Sequence, residues 1–442
     1  MKKSKTTTPP APKKNRLTAL KGVLLALFGL VGIYFTYVGL PDVFPIKYNQ
    51  ANISNIAEEA SVQDETVVGF EPIRLATPNS VKAIYMTQCV VGTPTFREKL
   101  VRIAEETEIN SIVIDIKDYT GRLGFVSENP ELRDALSENC YAPDMKEFIK
   151  YINEKGIYAI ARITVFQDPT YTSKHPELAV QKESDKSTWK DYKGLSFIDV
   201  GAKEAWDYII AISREAYEIG FDELNYDYIR FPSDGPMRDI YFPFSEERIT
   251  SNPDTGKAEI LEEFFAYLND GLKDLGVVTS ADLFGMVTTN SDDLNIGQQL
   301  ERALPYFDYI APMIYPSHYP SGFNGWANPN EHIYDVIAFT MARGIERVTS
   351  TSTTVKTHKN SEPLSTTTSP LLYEKKAYPA TKFRPWLQDF DYGGNYGEEE
   401  VRAQIQAIYD VGLNSWMLWD PSNIYTVGAL EEAATTSDST YE

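Results

Sequence analysis

Three polar residues interrupt an apolar, strand-like run near the middle of the chain. They are Asn225, Asp227 and Arg230, in the stretch GFDELNYDYIRFPSDG of residues 220–235. A polar group in a strand interior costs free energy unless it is hydrogen bonded or used in function. The run continues beyond Asp227, so this carboxylate cannot cap a helix, and we expect it to act in catalysis or substrate contact. Strand alternation puts Asn225 and Asp227 on an inward face, and the residues expected to pack outward are Leu224, Tyr226 and Tyr228.

Other polar and aromatic residues stand where further strand-like runs end. In SIVIDIKD, residues 111–118, the isoleucines share one face, which leaves Asp115 and Lys117 on the other. The remaining candidates are Asp118 after this second run, Arg162 and Asp168 after the third, Asp282 on the fifth, Tyr315 and His318 after the sixth, Trp386 and Gln388 on the seventh, and Trp419 and Asp420 on the eighth.

This combination of carboxylates, arginines and aromatic rings is typical of carbohydrate chemistry. Two carboxyl groups cleave a glycosidic bond when they lie about 5 to 5.5 Å apart for retention, or ~6.5 to 9.5 Å apart for inversion. We predict Asp227 as nucleophile or general base and Asp282 as general acid, with Asp115 in reserve for either role and no cofactor. Arg162 and Arg230 are expected to hold the carboxylates ionised or to orient sugar hydroxyls. The predicted substrate-binding residues are Lys117, Arg162, Asn225, Arg230, Tyr315, His318, Trp386, Gln388, Trp419 and Asp420.

Structural roles compete with these assignments. An aspartate at a strand end often caps a helix or pairs within a loop, which is the alternative for Asp118, Asp168 and Asp420. The tryptophans Trp386, Trp416 and Trp419 can belong to the core. Clustered aspartates can also bind a metal, although no D-x-D-x-D-G or H-x-x-H spacing supports this. Only 4 histidines occur, which disfavours a Ser/His triad or a His-based metal site.

Eight strand-like runs alternate with helix-like runs from residue 81 onward, which predicts an α/β fold of the (β/α)8 barrel type over residues 81–430. The predicted strands are 82–89, 111–118, 157–166, 223–231, 277–285, 308–315, 383–390 and 414–420. In such a barrel the functional residues lie at the carboxyl ends of the strands. The Ser/Thr-rich segment 349–370 is predicted to be a flexible surface insertion, and residues 431–442 a disordered tail.

The N-terminus predicts a membrane anchor. All seven charged residues among positions 1–21 are basic, and residues 22–40 form 19 uncharged, mostly apolar positions, close to the ~20 that span a bilayer. The basic flank predicts a cytoplasmic tail at 1–21, a single-pass anchor at 22–40, a linker at 41–80 and an extracytoplasmic catalytic domain. A cleaved signal peptide is the alternative.

The net charge bears on the class of binding partner, and the two cysteines bear on disulfide formation. Subtracting the seven N-terminal charges from the total of −21 leaves −28 for residues 22–442. So acidic a surface repels phosphate backbones and argues against a nucleic-acid partner. Cys89 and Cys140 are the only cysteines; in an exported chain they can form a disulfide, or they can remain two inert thiols.

Six ordered blocks resemble a known family across roughly residues 81–425. They are VIDIKDYTGRL, IYAIARITVFQDP, GFDELNYDYIRFPSDG, SADLFG, IAPMIYPSHY, and FRPWLQDF with GLNSWMLWDPSN. The chain resembles the glycoside hydrolase domain of exported and surface-anchored bacterial proteins, formerly a domain of unknown function in the barrel glycosidase superfamily. The resemblance implies a barrel, a carbohydrate substrate and a site lined by Asp115, Arg162, Asp227, Arg230, Asp282, Tyr315, His318 and Trp386.

The fourth run also resembles the chitinase pattern G-F-D-G-x-D-x-D-x-E, but Ile229 stands where the catalytic Glu of that family belongs. A second carboxyl group must therefore come from another strand. The leading hypothesis is a membrane-anchored glycoside hydrolase acting on a polysaccharide or oligosaccharide. The alternatives are a non-catalytic carbohydrate-binding barrel displayed on the cell surface and a structural envelope protein.

Overall fold

The computed structural model describes residues 70–355 and 371–433. The predicted tail at 1–21, the predicted anchor at 22–40, most of the predicted linker, much of the Ser/Thr-rich insertion and most of the C-terminal tail lie outside the described residues. In the described part of the chain, no helix combines the length and the apolar character needed to cross a membrane.

Parallel strands close into an eight-stranded barrel, as the alternation of elements predicts. Around the barrel the strand order is β1, β10, β9, β6, β5, β4, β3 and β2, which returns to β1. These strands are β1 Lys82–Met86, β2 Ser111–Lys117, β3 Tyr158–Thr164, β4 Glu223–Asp227, β5 Val278–Phe284, β6 Tyr309–Met313, β9 Trp386–Gln388 and β10 Trp416–Trp419. A separate antiparallel pair consists of β7 Ser352–Val355 and β8 Leu371–Glu374.

Helices connect the strands and cover the barrel. They are α1 Gln88–Val91, α2 Pro94–Glu106, α3 Pro130–Arg133, α4 Met145–Glu154, α5 Pro169–Lys174, α6 Glu204–Ile219, α7 Glu246–Ser251, α8 Gly256–Leu272, α9 Leu300–Ala303, α10 Ile333–Thr349 and α11 Glu398–Asp410. Sequence signals explain their ends: Pro94 starts α2, where a missing N–H costs nothing, and Gly220 ends α6 with a φ of 120° that disfavours a side chain.

Side-chain alternation separates two apolar clusters. The larger one lies between barrel and helices and includes Ile112, Ile114 and Ile116 of β2, as the sequence predicts. The smaller one fills the barrel interior and includes Val113 of the same strand and Ile160 of β3. The barrel is therefore a packed core whose polar side chains collect near its two ends.

The amino-terminal end of the barrel is closed by a buried ion pair and a short extended segment. Arg384 donates to Glu223 at 2.6 Å, and both side chains are almost fully buried. Residues 70–80, expected to be the last part of the linker, lie against this end: Leu75 packs on the interior cluster, and its N–H donates to Asp222 at 2.7 Å.

The predicted insertion at 349–370 is partly regular structure. Its first residue, Thr349, ends α10, and the strand β7 lies within it and pairs with β8. β-Branched residues are common in β7, whose sequence is STTV, and they favour strand conformation. Residues 352–355 of the predicted flexible insertion therefore form a strand, while residues 356–370 lie outside the described range.

A disulfide joins Cys89 and Cys140, so the alternative of two free thiols is wrong. Cys89 lies on α1, which follows β1, and Cys140 lies in the loop that precedes α4. The bond closes a loop of 51 residues in sequence, and disulfides of this kind are typical of oxidising compartments.

We predict that removing this cross-link lowers the free energy of unfolding by about 2 to 4 kcal/mol, because the unfolded chain regains the entropy of the open loop. Urea denaturation of Cys89→Ser/Cys140→Ser measures this loss. Cys89 is exposed and Cys140 half-buried, so the substitutions themselves leave little cavity. Reduced wild-type protein is the control and should match the double variant. Equal stability of oxidised and reduced wild type would contradict the prediction.

Candidate active site

The centre of the site is the buried guanidinium of Arg162 on β3. Its Nη1 donates to Asp115 Oδ1 at 2.5 Å, and its Nη2 donates to Asp227 Oδ2. Its Nε lies 3.7 Å from Asp282 Oδ2. The register explains this convergence, because Arg162 pairs with Asp115 of β2 on one side and with Asn225 of β4 on the other. One cation therefore lies among three carboxyl groups from three other strands.

Asp282 is the most protected of these carboxyl groups. It is 1% exposed, and its Oδ1 accepts hydrogen bonds from Asn225 Nδ2 and Trp386 Nε1, both at 2.8 Å. Burial, with the neighbouring Asp227 charge, raises the pKa of Asp282 to about 8 against the partial opposition of Arg162. Since Oδ1 already accepts two donors, the proton is carried by Oδ2, the oxygen nearer Arg162. Asp282 is thus an acid at neutral pH.

Asp227 occupies a different environment at the end of β4. Its Oδ2 pairs with Arg162, and its Oδ1 accepts the backbone N–H of Tyr228 at 2.5 Å. Tyr228 adopts a φ of 53°, a left-handed conformation that is costly for a bulky residue and is often found at functional sites. The strand therefore ends at Asp227, four residues earlier than the predicted run 223–231. Tyr228 lines the cavity and also packs against the apolar cluster outside the barrel, as expected.

A cavity of about 310 Å³ opens beside these carboxyl groups at the carboxyl end of the barrel, at the lower end of the usual size range for ligand pockets. Asp227 and Asp282 both line it. The other lining residues are Arg162, Tyr228, Arg230, Phe284, Gly285, Met286, Met313, Tyr315, His318, Tyr319, Trp386 and Trp419. Two carboxyl groups thus face one aromatic-walled space.

Comparison with protein families decides what kind of domain carries this site. Residues 83–425 match the family described as "Putative glycosyl hydrolase domain". The chain belongs to this glycosyl hydrolase domain family. The match spans the whole barrel, from β1 to the loop after β10, and confirms the family inferred from the six sequence blocks. No curated protein matches the chain.

Solved structures of this fold include several glycoside hydrolases. The chain resembles the glycoside hydrolase domain of PgaB (BpsB) from Bordetella bronchiseptica, with a TM-score of 0.52 and 14% identity over 78% of this chain and 95% of that one. It also resembles alpha-L-fucosidase isoenzyme 2 from Paenibacillus thiaminolyticus, with a TM-score of 0.50 and 12% identity over 79% of this chain and 48% of that one. At these identities the similarity establishes the barrel fold.

A hypothetical protein from Ruminiclostridium thermocellum is closer in sequence. It is 37% identical over 45% of this chain and 96% of that chain, with a TM-score of 0.39.

The site of this family member contains most of the residues expected from the sequence. The predicted residues that line the cavity are Asp227, Asp282, Arg162, Arg230, Tyr315, His318, Trp386 and Trp419. The two tryptophans pack edge to face with ring centroids 5.5 Å apart, and Trp419 stacks on Tyr85 at 3.9 Å. By contrast, Trp416 is fully buried in the cluster outside the barrel, so its alternative role as a core residue is confirmed.

Two predicted residues support the site from beneath. Asp115 is not part of the cavity wall; it binds Arg162 and accepts a hydrogen bond from the Tyr85 hydroxyl. Asn225 is fully buried and donates to both Asp282 and Ser280. Both residues orient groups that line the cavity, and neither lines it.

Lys117 is directed away from the cavity, contrary to its predicted face. The pairing of β2 with β3 shifts between Asp115 and Lys117, and such a bulge reverses the side-chain alternation. Lys117 consequently forms a fully buried ion pair with Asp168 at 2.8 Å. Asp168 also caps α5 by accepting the N–H of Tyr171, which was the structural alternative for this aspartate.

Three further candidates organise loops near the site. Gln388 accepts a hydrogen bond from the Ser317 hydroxyl at 2.8 Å and is fully buried. Asp420 accepts the N–H of Ser422, and Asp118 accepts that of Thr120. These contacts leave Gln388 and Asp420 outside the cavity wall, so the structure gives them positioning roles instead of the predicted substrate contact.

Sequence reasoning missed part of the cavity wall. The omitted residues are Tyr228, Phe284, Gly285, Met286, Met313 and Tyr319. Phe284 lies two residues after Asp282 on the same strand and therefore faces the same side. This spacing could have identified Phe284 from the sequence. Gly285 has a steric reason: a Cβ there would lie 2.4 Å from the Met313 carbonyl oxygen. Among the described residues, no group of three or more His, Cys, Asp or Glu side chains could hold a metal ion.

We predict that Asp282→Asn flattens the pH dependence of stability. The pKa of Asp282 lies near 8 in the folded protein and near 3.8 ordinarily, so between these values the folded state holds a proton that the unfolded state has released. Wild-type stability therefore falls as pH rises through this window. Between pH 5 and 8 the unfolding free energy of the variant should fall less than that of the wild type. The difference between the two falls should exceed about 1.4 kcal/mol, the equivalent of one pKa unit. Urea denaturation measures this difference, and parallel curves for the two proteins would contradict it.

Proposed function

We propose that the barrel is a glycoside hydrolase that cleaves a polysaccharide, with Asp282 as general acid and Asp227 as nucleophile or general base. The observation that supports this assignment is the contact of both carboxyl groups with the same guanidinium and the same cavity, together with the burial that raises the pKa of Asp282. Separating the proton affinities of two neighbouring carboxyl groups is how glycosidases obtain an acid and a base at one pH.

The neighbouring side chains suit these roles. Asn225 and Trp386 hold Asp282 through Oδ1, which leaves Oδ2 to deliver its proton to the leaving oxygen. The pKa of Tyr315 is raised well above its ordinary value by burial and by the nearby carboxylates, so its hydroxyl stays protonated and can donate to a sugar. Trp386 and Trp419 add aromatic surface to the same wall. Proton transfer and sugar binding can therefore take place in one cavity.

We predict that the loss caused by Asp282→Asn depends on the leaving group. A general acid contributes about 10²- to 10⁴-fold to the rate, but an activated aryl glycoside leaves without protonation. The rate of the Asp282→Asn variant should fall by this factor on natural glycans and by much less on dinitrophenyl glycosides. The rate of Asp227→Asn should fall on both substrate classes. Wild-type activity should also fall as pH rises through about 8, where Asp282 ionises. Initial rates on the two substrate classes across pH test these expectations.

Asp134→Asn is the matched control, because Asp134 is an exposed carboxylate after β2 that does not line the cavity, and this variant should retain activity. Equal losses by Asp282→Asn on both substrate classes would contradict its role as acid. If wild-type protein releases no product from a broad glycan panel but binds members of it, the chain is instead a carbohydrate-binding barrel.

We also propose that residues 22–40 anchor the protein in the membrane with the barrel outside the cytoplasm. Support comes from the 19 uncharged positions and the basic flank at 1–21. The disulfide between Cys89 and Cys140 adds to it, since such bonds persist in oxidising compartments.

We predict that the full chain remains in the membrane fraction after alkaline carbonate extraction, because an apolar span holds it. A form that begins at residue 41, exported by a cleavable signal peptide, should be soluble outside the cell. Protease added to intact cells should digest the barrel and spare a cytoplasmic marker. Recovery of the full-chain product in the medium, shortened by about 40 residues, would show cleavage instead of anchoring.

A further inference from the structure

Arg230 differs from the other buried arginines of the described chain. Those others each lie within 4 Å of a carboxylate: Arg97 pairs with Asp144, Arg162 with Asp115 and Asp227, and Arg384 with Glu223. Arg230 is 7% exposed, yet no carboxylate of residues 70–355 or 371–433 lies within that distance. The protein has 63 acidic residues and 42 basic ones, yet none of its described acidic residues lies within 4 Å of Arg230.

The contacts of Arg230 use only part of its hydrogen-bonding capacity. Its Nη1 donates to the Phe231 carbonyl at 3.2 Å and to the Ser233 hydroxyl at 3.1 Å. The guanidinium carbon lies 4.9 Å from the ring centroid of Tyr228 and 4.8 Å from that of Phe284. Within the described chain, Nε and Nη2 donate to no protein group. Two rings and two neutral oxygens thus hold a guanidinium whose remaining donors are unused.

These contacts do not neutralise the charge. Burial lowers the pKa of Arg230, and the nearby acids Asp227, Asp234 and Asp191 oppose that effect from beyond ion-pair distance. Arginine nevertheless stays charged in proteins, and a charge that is largely removed from water without an ion-pair partner costs free energy. Cation–π contacts offset only part of such a cost. The energetic balance is better when a ligand brings a negative group.

We propose that Arg230 binds an oxyanion carried by the sugar, so that the substrate is an acidic polysaccharide. This inference rests on the proposed function and names the substrate class of the same site. The planar guanidinium fork matches a carboxylate, a sulfate or a phosphate through paired N–H donors. On a glycan these groups correspond to a uronic acid or to a sulfate or phosphate ester.

The position of Arg230 places that charged group close to the bond that is cut. Arg230, Asp227 and Asp282 line one cavity of about 310 Å³, which is small for a ligand site. A sugar whose glycosidic oxygen meets Asp282 therefore has its own substituents within this cavity. The acidic group is assigned to a sugar that flanks the cleaved bond.

Binding measurements on protein that cannot turn over test the proposal. The Asp282→Asn protein is titrated calorimetrically with oligogalacturonates, oligoglucuronates and oligomannuronates, each beside its carboxyl-reduced form, in which a neutral CH2OH replaces the carboxylate. To test sulfate and phosphate esters, dextran sulfate and phosphorylated dextran are each compared with neutral dextran. One charged member should bind about 10- to 100-fold more tightly than its neutral counterpart, as expected for charge-assisted hydrogen bonds. The arm that shows this preference identifies the oxyanion.

Three further variants in the same background assign the preference to Arg230. Arg230→Met should abolish it, and Arg230→Lys should retain part of it, because the charge remains while the planar fork is lost. Arg238→Met is the matched control: Arg238 is an exposed arginine of the same loop outside the cavity wall, and this variant should keep the full preference. Thermal unfolding confirms that each variant is folded.

Two results would overturn the proposal: charged sugars that bind no better than their neutral forms, or a preference that survives in Arg230→Met. Different results would contradict the proposed enzymatic activity. If charged sugars bind through Arg230 but the protein with Asp282 intact cleaves none of them, the activity is wrong and the recognition stands. If neutral glycans are cleaved as fast as acidic ones, the recognition is wrong and the activity stands.

Discussion

The site depends on the neutralisation of Arg162 inside the barrel. A buried guanidinium requires counter-charge, because removing it from water costs several kcal/mol that only close partners offset. Three carboxyl groups surround it, so full ionisation of all three would leave an excess of negative charge in a place that disfavours any charge. Burial raises the pKa of both Asp115 and Asp282. For Asp282, burial is the main cause and the charge of Asp227 adds to it, while Arg162 opposes both.

The two ends of the barrel use buried ion pairs differently. At the amino-terminal end Glu223 and Arg384 pair one to one, and Tyr158 donates its hydroxyl to the same carboxylate at 3.1 Å. That pair is fully matched and closed by the segment at 70–80. At the carboxyl end the charges are unequal, and the imbalance is resolved by a proton that can leave. A matched pair stabilises the fold, whereas an unmatched group supplies chemistry.

Periodicity in the sequence predicted the parts of the fold that obey simple repeats. The alternation of strands and helices indicated the barrel, and parity placed Asp227 and Asp282 inside it because β4 and β5 are regular up to these residues. Lys117 could not be placed, since the bulge that reverses its direction depends on pairing with β3. The sequence left the disulfide undecided for the same reason, because no local pattern shows that α1 and the loop before α4 lie close together.

The unequal partnering of Arg162 and Arg230 has a consequence for how a substrate would be oriented. Arg162 is surrounded by carboxyl groups, whereas Arg230 is held by Tyr228, Phe284 and neutral oxygens, so one cation of the cavity is paired and the other has no ion pair among the described residues. The left-handed turn at Tyr228 ends β4 and brings both Tyr228 and Arg230 to the wall. A sugar with a single negative group is attracted to Arg230. Charge would therefore fix which end of the sugar approaches Asp282, and alignment of reacting groups is itself a large part of catalysis.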